Sequence, residues 1–127
     1  MCLTSNHFLP KFTFKPKKVY KVLFVVDDED HSPKYVSPVA DFEYELGKEY
    51  HSYPSFKGWF AKYKDRGFIH SYGTLLMAKA SSIFYGRPKV LVECEIPRFS
   101  FYYDGKNGDI CSTKLRITNN IIHVFAE

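Results

Sequence analysis

Along the 127-residue chain, apolar and polar positions alternate over several short stretches, and that period of two marks strands. Residues 19–26 are the exception, a β-branched run apolar on both faces, which predicts a central strand covered from two sides. Residues 41–46 place Phe42, Tyr44 and Leu46 on one face and Asp41, Glu43 and Glu45 on the other, a half-exposed strand closed by Gly47. Residues 89–96 alternate Val90, Val92, Cys94 and Ile96 against Leu91, Glu93 and Glu95. Residues 67–72 and 99–103 read as two further short strands. The second hides Phe99, Phe101 and Tyr103 on one face, shows only Tyr102, and runs into the turn signals Asp104-Gly105 and Asn107-Gly108. Residues 111–117 alternate once more, and a turn at Asn119-Asn120 leads to a last strand over 121–125.

One segment carries a helical period. Thr74 caps a helix over about 74–85 whose apolar positions Leu76, Ala80, Ile83 and Phe84 recur at helical spacing, and Gly86 and Pro88 end it. Pro10 and Pro16 make residues 1–18 an irregular arm, anchored by Phe8, Leu9, Phe12 and Phe14. The acids and two prolines of 27–38 predict a loop. Residues 48–66 read either as an irregular lid or as a short helix around 57–63. The expected fold is therefore α+β: the arm 1–18 packed on a single compact domain, 19–127, with a mostly antiparallel sheet of five to seven strands and one main helix.

Composition narrows the class. Twelve Phe, ten Tyr and one Trp exclude a disordered chain, and the longest apolar run, residues 22–26, excludes a transmembrane helix. The polar, mixed start of the chain lacks the apolar stretch of a signal peptide, so a cytoplasmic location is expected, in a bacterium or an infected host. Cys2, Cys94 and Cys111 are odd in number and widely spaced, which predicts no disulfide framework, and the absence of paired His/Cys spacing predicts no metal site and no cofactor. Lys+Arg 18 against Asp+Glu 14 leaves a net charge of +4. Its distribution is more telling: Lys11, Lys15, Lys17, Lys18 and Lys21 crowd the approach to the first strand, and Lys57, Lys62, Lys64 and Arg66 lie among Phe56, Trp59, Phe60 and Tyr63. Both clusters suit phosphates or an acidic partner surface.

Four groups of residues carry possible chemistry. Cys2, once the initiator Met is removed, joins a thiol to a free amine, a self-contained nucleophile and base. His70, Ser71 and Tyr72 end a strand beside the helix N-terminus at Thr74, an element suited to an anionic ligand, with Trp59 and Arg66 on its flank. On alternation Phe68, His70 and Tyr72 share one face while Ile69 and Ser71 share the other. Glu93 and Glu95 face the same way, about 7 Å apart, the spacing of an acid/base pair, with Arg98 or Lys114 as candidate ion-pair partners. Finally Phe99, Phe101, Tyr102 and Tyr103 beside Arg98 and Lys106 suit stacked bases and phosphates, although alternation assigns most of these rings to the core.

Two resemblances follow from these strings. Met1-Cys-Leu-Thr-Ser5, Tyr20-Lys-Val-Leu23, Tyr44-Glu-Leu-Gly-Lys48, Gly67-Phe-Ile-His-Ser-Tyr72 and Ile96-Pro-Arg98 with Tyr102-Tyr103-Asp-Gly105 resemble short proteins of gut bacteria and their phages. That resemblance implies a bacterial or phage origin and one compact domain. The order of 67–72, the helix from Thr74 and 90–97 is distantly similar to mono-ADP-ribosyltransferase-like domains. The chain departs from their pattern: Ser71 stands without a Ser-Thr-Ser, Glu93-Cys-Glu95 precedes Pro97, and 109–117 holds no Glu. The similarity therefore implies a degenerate module that keeps nucleotide binding, with active transfer as the alternative.

The expectation is a small non-enzymatic binding protein acting on a host protein or a nucleotide-like small molecule, in one form an inhibitor of host defence. The alternatives are an ADP-ribosyltransferase-like enzyme and a single-stranded nucleic-acid binding module.

Overall fold

In the computed structural model, residues 10–27, 33–37, 42–54, 68–83, 86–105 and 108–125 are described. In chain order they form β1 (Lys11–Phe12), β2 (Lys17–Asp27), β3 (Pro33–Val36), β4 (Glu43–Tyr44), β5 (Glu49–His51), β6 (Ile69–Tyr72), a helix α1 (Leu75–Ser82), β7 (Lys89–Ile96), β8 (Phe101–Asp104), β9 (Asp109–Ser112) and β10 (Lys114–Phe125).

Three long segments build the sheet, each made of two strands joined by a bend: β1 with β2, β7 with β8, and β9 with β10. β1 pairs antiparallel with β8, Lys11 opposite Tyr102, and β2 with β7, Lys17 opposite Ile96. Residues 13–16 and 97–100 separate the two ladders, four on each side, so the register continues through the bend without a gain or loss. Thr13 stitches it: its N–H donates to the Ser100 carbonyl (2.9 Å), its carbonyl accepts from the Phe99 N–H (2.6 Å), and its hydroxyl donates to the Pro97 carbonyl (2.7 Å). The other edges of β8 and β7 pair with β9 and β10, which meet at Thr113. There the Thr113 N–H turns to the Phe101 carbonyl while its C=O accepts from Ser52 on the opposite side. The three bends thus line up as one crease across a three-stranded ribbon.

β6 closes the ribbon. It pairs along β9, Ile69 opposite Ser112, and meets the far edge of β2 at Tyr20 opposite Tyr72, so both outer edges join and the sheet curls into a small barrel. β3 and β4 extend the end of β2, and β5 lies along the start of β10. Every pairing among the described residues is antiparallel.

The sheet therefore has ten strands, where the pattern predicts five to seven. β1 lies inside the stretch read as an arm, and β3 inside the stretch 27–38 read as a loop. Pro33 is tolerated there because it opens the strand. Of the described residues 42–46 only Glu43–Tyr44 form a strand, and 111–117 is broken at Thr113. Asn119 and Asn120 do not turn; they lie within β10, where the register to β7 shifts between Ile117, Ile121 and His123.

The barrel interior is filled by Val19, Leu23, Val90, Val92, Cys94, Ile96, Leu115 and Ile117. On the opposite face of β2 and β7, Val22 and Leu91 are covered by Ala78 of α1. The run 19–26 is indeed apolar on both sides because both sides are covered. Thr74 caps the helix, its hydroxyl accepting from the Met77 N–H. The face differs from the predicted one: Leu75, Ala78 and Ser82 turn to the sheet, whereas Leu76, Ala80 and Ile83 are exposed, and Phe84 lies outside the described residues. Against a β-surface already filled by Val22 and Leu91, small residues at the contact let the helix approach.

Gly108 holds the turn into β9 against this helix, with φ at +81° and its carbonyl accepting from the Gly73 N–H. A Cβ there would stand 2.8 Å from Met77 Cγ. Gly108→Ala is expected to destabilise by about 2 kcal/mol, strain and overlap together, read as a lower urea midpoint at unchanged slope.

Candidate functional site

Two features of this framework depart from an ordinary packed core, one on the crease and one inside the barrel. At the crease four phenylalanines gather. Phe12 lies opposite Phe101 across β1 and β8, 5.0 Å between ring centroids, and also touches Phe14 (5.1 Å) and Phe99 (6.1 Å). They stay 37% (Phe12), 76% (Phe14), 55% (Phe99) and 41% (Phe101) exposed. Phe99 adopts a left-handed backbone, φ +64°, a conformation that costs a non-glycine residue about 1 kcal/mol or more. This breaks the predicted alternation: the strand begins at Phe101, Tyr102 turns inward against the interior cluster, and Phe99 and Phe101 are displayed rather than buried. Only Tyr103 is buried as expected, edge-on to Phe68 at 5.8 Å.

Two cavities flank the ridge and share Phe99 and Lys114. One, about 300 Å³, is lined also by His51, Ser52, Tyr53, Pro54, Phe101 and Thr113. The other, about 540 Å³, is lined also by Pro16, Glu49, Glu95, Pro97, Arg98 and Arg116. The carboxylates here are engaged: Glu95 by Arg116 (2.5 Å), Glu49 by His51 (2.6 Å), Asp104 by Lys11 (2.5 Å). Among the described residues Lys15, Lys17, Arg98 and Lys114 have no carboxylate partner. Lys17 sits 5.7 Å from the Tyr102 ring centroid and the Arg98 guanidinium 5.1 Å from that of Phe99. Arg98 and Lys114 thus set surplus positive charge beside the exposed Phe99 ring.

Inside the barrel lies Lys21, on the same face of β2 as Val19 and Leu23 and only 5% exposed. Its ammonium donates to the His70 carbonyl (2.5 Å) and stands 5.2 Å from the Tyr44 ring centroid. Burial pulls Lys21 down to about 8 and pushes the Cys94 thiol and the Tyr44 hydroxyl up to about 12, so both of these neighbours are neutral at pH 7. Cys94 is therefore no activated nucleophile.

The residues singled out from sequence are dispersed. Cys2, Trp59 and Arg66 lie outside the described residues. His70 and Tyr72 face away from Ser71 as alternation predicts, Ser71 points into the barrel, and the Thr74 hydroxyl is occupied in capping. Glu93 and Glu95 do share a face, but Lys18 (2.8 Å) and Asn120 (2.7 Å) hold Glu93, and Arg116 holds Glu95, rather than Arg98 or Lys114. Hydrogen bonds from Lys18 and Asn120 hold the Glu93 carboxyl below its ordinary range, the opposite of what a general acid needs. Sequence reasoning places Lys21 in a basic cluster and Phe12 and Phe14 as anchors of an arm, whereas the structure buries Lys21 and displays both rings. A lysine at the centre of a run apolar on both faces is itself the signal of a buried charge. Among the described residues no helix is long and apolar enough to cross a membrane. No protein-family model, curated protein or solved structure matches the chain.

Proposed function

We propose that the protein is a non-enzymatic binding module that takes a nucleotide-like ligand on the crease, bases stacked on the phenylalanine ridge and phosphates on Lys15, Lys17, Arg98 and Lys114. The observation that carries this reading is the four-ring ridge left in solvent beside cations with no carboxylate partner. Flat rings accept any base face, each stack contributing about 1–3 kcal/mol, and lysines and arginine supply the backbone contacts. The strained backbone at Phe99 fits the same role, because it turns a large ring outward at a conformational expense. Two adjoining cavities give room for more than one nucleotide unit, which favours a single strand over a mononucleotide.

The test is fluorescence anisotropy with a labelled oligothymidylate, with mononucleotides as competitors. Affinity is expected to fall steeply as salt rises, and Phe99→Gly to weaken it at least tenfold while the fold becomes no less stable, since glycine accepts this backbone. An oligonucleotide that binds Phe99→Gly as tightly as the native chain would sink the reading. No binding by any nucleotide would leave a host protein as the occupant of the ridge, to be sought by crosslinking from Phe99.

A further inference from the structure

The far edge of β2 is shared between two partners that part company. β6 meets it at Tyr20 and β3 takes over at Phe24, so among the described residues Lys21, Val22 and Leu23 have ladder partners on the β7 edge only. The sheet forks here, and the Lys21 ammonium does what a backbone N–H would have done, donating to the carbonyl of His70 on the departing strand. That bond uses one of three donors. One position beyond the Tyr20–Tyr72 pair, Ser71 lies across from Lys21 and on the same inner face as Ile69. Ser71 is 2% exposed, and its hydroxyl is without a hydrogen-bond partner. The other groups around the ammonium are the Tyr44 ring and the Cys94 thiol. Among the described residues no carboxylate reaches it.

A buried cation lacking a counter-charge, next to a buried hydroxyl lacking a partner, is an arrangement that native proteins complete with an ion or a ligand group. We propose that the fork between β3 and β6 is a binding site for a small oxyanion, a phosphate or carboxylate group, held by the Lys21 ammonium and the Ser71 hydroxyl. The site is separate from the crease, since Lys21 and Ser71 line neither of the two cavities there. The ammonium supplies charge and two free donors, the serine one more, and Tyr44 walls one side. Charge-assisted bonds of this kind are the strong class of hydrogen bond, and an enclosed setting strengthens them.

The experiment is thermal unfolding of the full chain at pH 7 in chloride, acetate and phosphate of matched ionic strength. Acetate or phosphate is expected to raise the melting temperature saturably above the chloride baseline, as a ligand of the native state must. Ser71→Ala should weaken the half-saturating concentration several-fold, Lys21→Met should abolish the response, and Phe99→Gly should leave it intact. Equal melting temperatures in all three salts would overturn the proposal. So would a Lys21→Met variant that responds as the native chain does. Free anion and a ligand's own phosphate or carboxylate group are separated by whether inorganic phosphate alone saturates the effect.

Discussion

Lys21→Met is expected to stabilise the protein at pH 7, by about 2 kcal/mol in anion-free buffer. Burial lowers the ammonium from 10.5 to about 8, so folding with the charge in place costs on the order of 3 kcal/mol. Methionine fills a similar volume without the charge and gives up the bond to the His70 carbonyl, worth about 1 kcal/mol. The sign with pH follows. A lysine whose folded-state value lies below its unfolded one binds fewer protons when folded, so the penalty is fully present below about 8 and fades as pH rises towards 10.5. The native chain should therefore gain stability across that window while Lys21→Met stays flat, as urea denaturation at pH 7 and 9.5 will show. A variant less stable than the native chain at pH 7 would mean that the ammonium is compensated inside the barrel.

The second large effect is in the opposite direction. Leu115→Ala should cost about 3–4 kcal/mol, a large share of the 5–15 kcal/mol that a domain of this size holds. Leu115 is wholly buried, faces Tyr50 across the β5–β10 pair, and lies two residues after the Thr113 bend. Leu115 packs in the interior cluster with Cys94, Ile96 and Ile117, so truncating it leaves a cavity among wholly buried neighbours. The loss should appear as a lower urea midpoint at unchanged slope, and a loss under 1 kcal/mol would mean that the interior repacks freely.

Much of the strand content was legible, because alternation survives wherever one face is core and the other is not. Residues 89–96 and 19–26 read correctly, and so did the cap at Thr74. What defeated the pattern was the crease. Alternation assumes an unbroken pleat and so assigns Phe99 and Phe101 to the core and Tyr102 to the surface, whereas the bends at 13–16, 97–100 and 113 reset it. Short β1 and β3 are strands only because long partners hold them, which no local propensity reports. The helix face was misassigned for a related reason. Its contact is with a sheet already full of Val22 and Leu91, and the residues it buries, Ala78 and Ser82, are small rather than strongly apolar. Of the candidate site, His70 and Ser71 were correctly placed on opposite faces, but the meaning of Ser71 depended on Lys21, fifty positions away in sequence and one across the sheet.

The pairing of β2 with β7 sets a demand on biosynthesis. Val19 finds Cys94 only 75 residues later, so the edge of β2 that faces β7 stays unpaired until those intervening residues have been made, although β3 covers part of the other edge early. Such a stretch is a template for self-association, and Lys17, Lys18 and Lys21 interrupt it as charged gatekeepers. The same lysine that burdens the finished fold protects the unfinished one. Lys21→Met should thus yield a more stable protein that is recovered less efficiently, with more of it lost to aggregates on refolding by dilution.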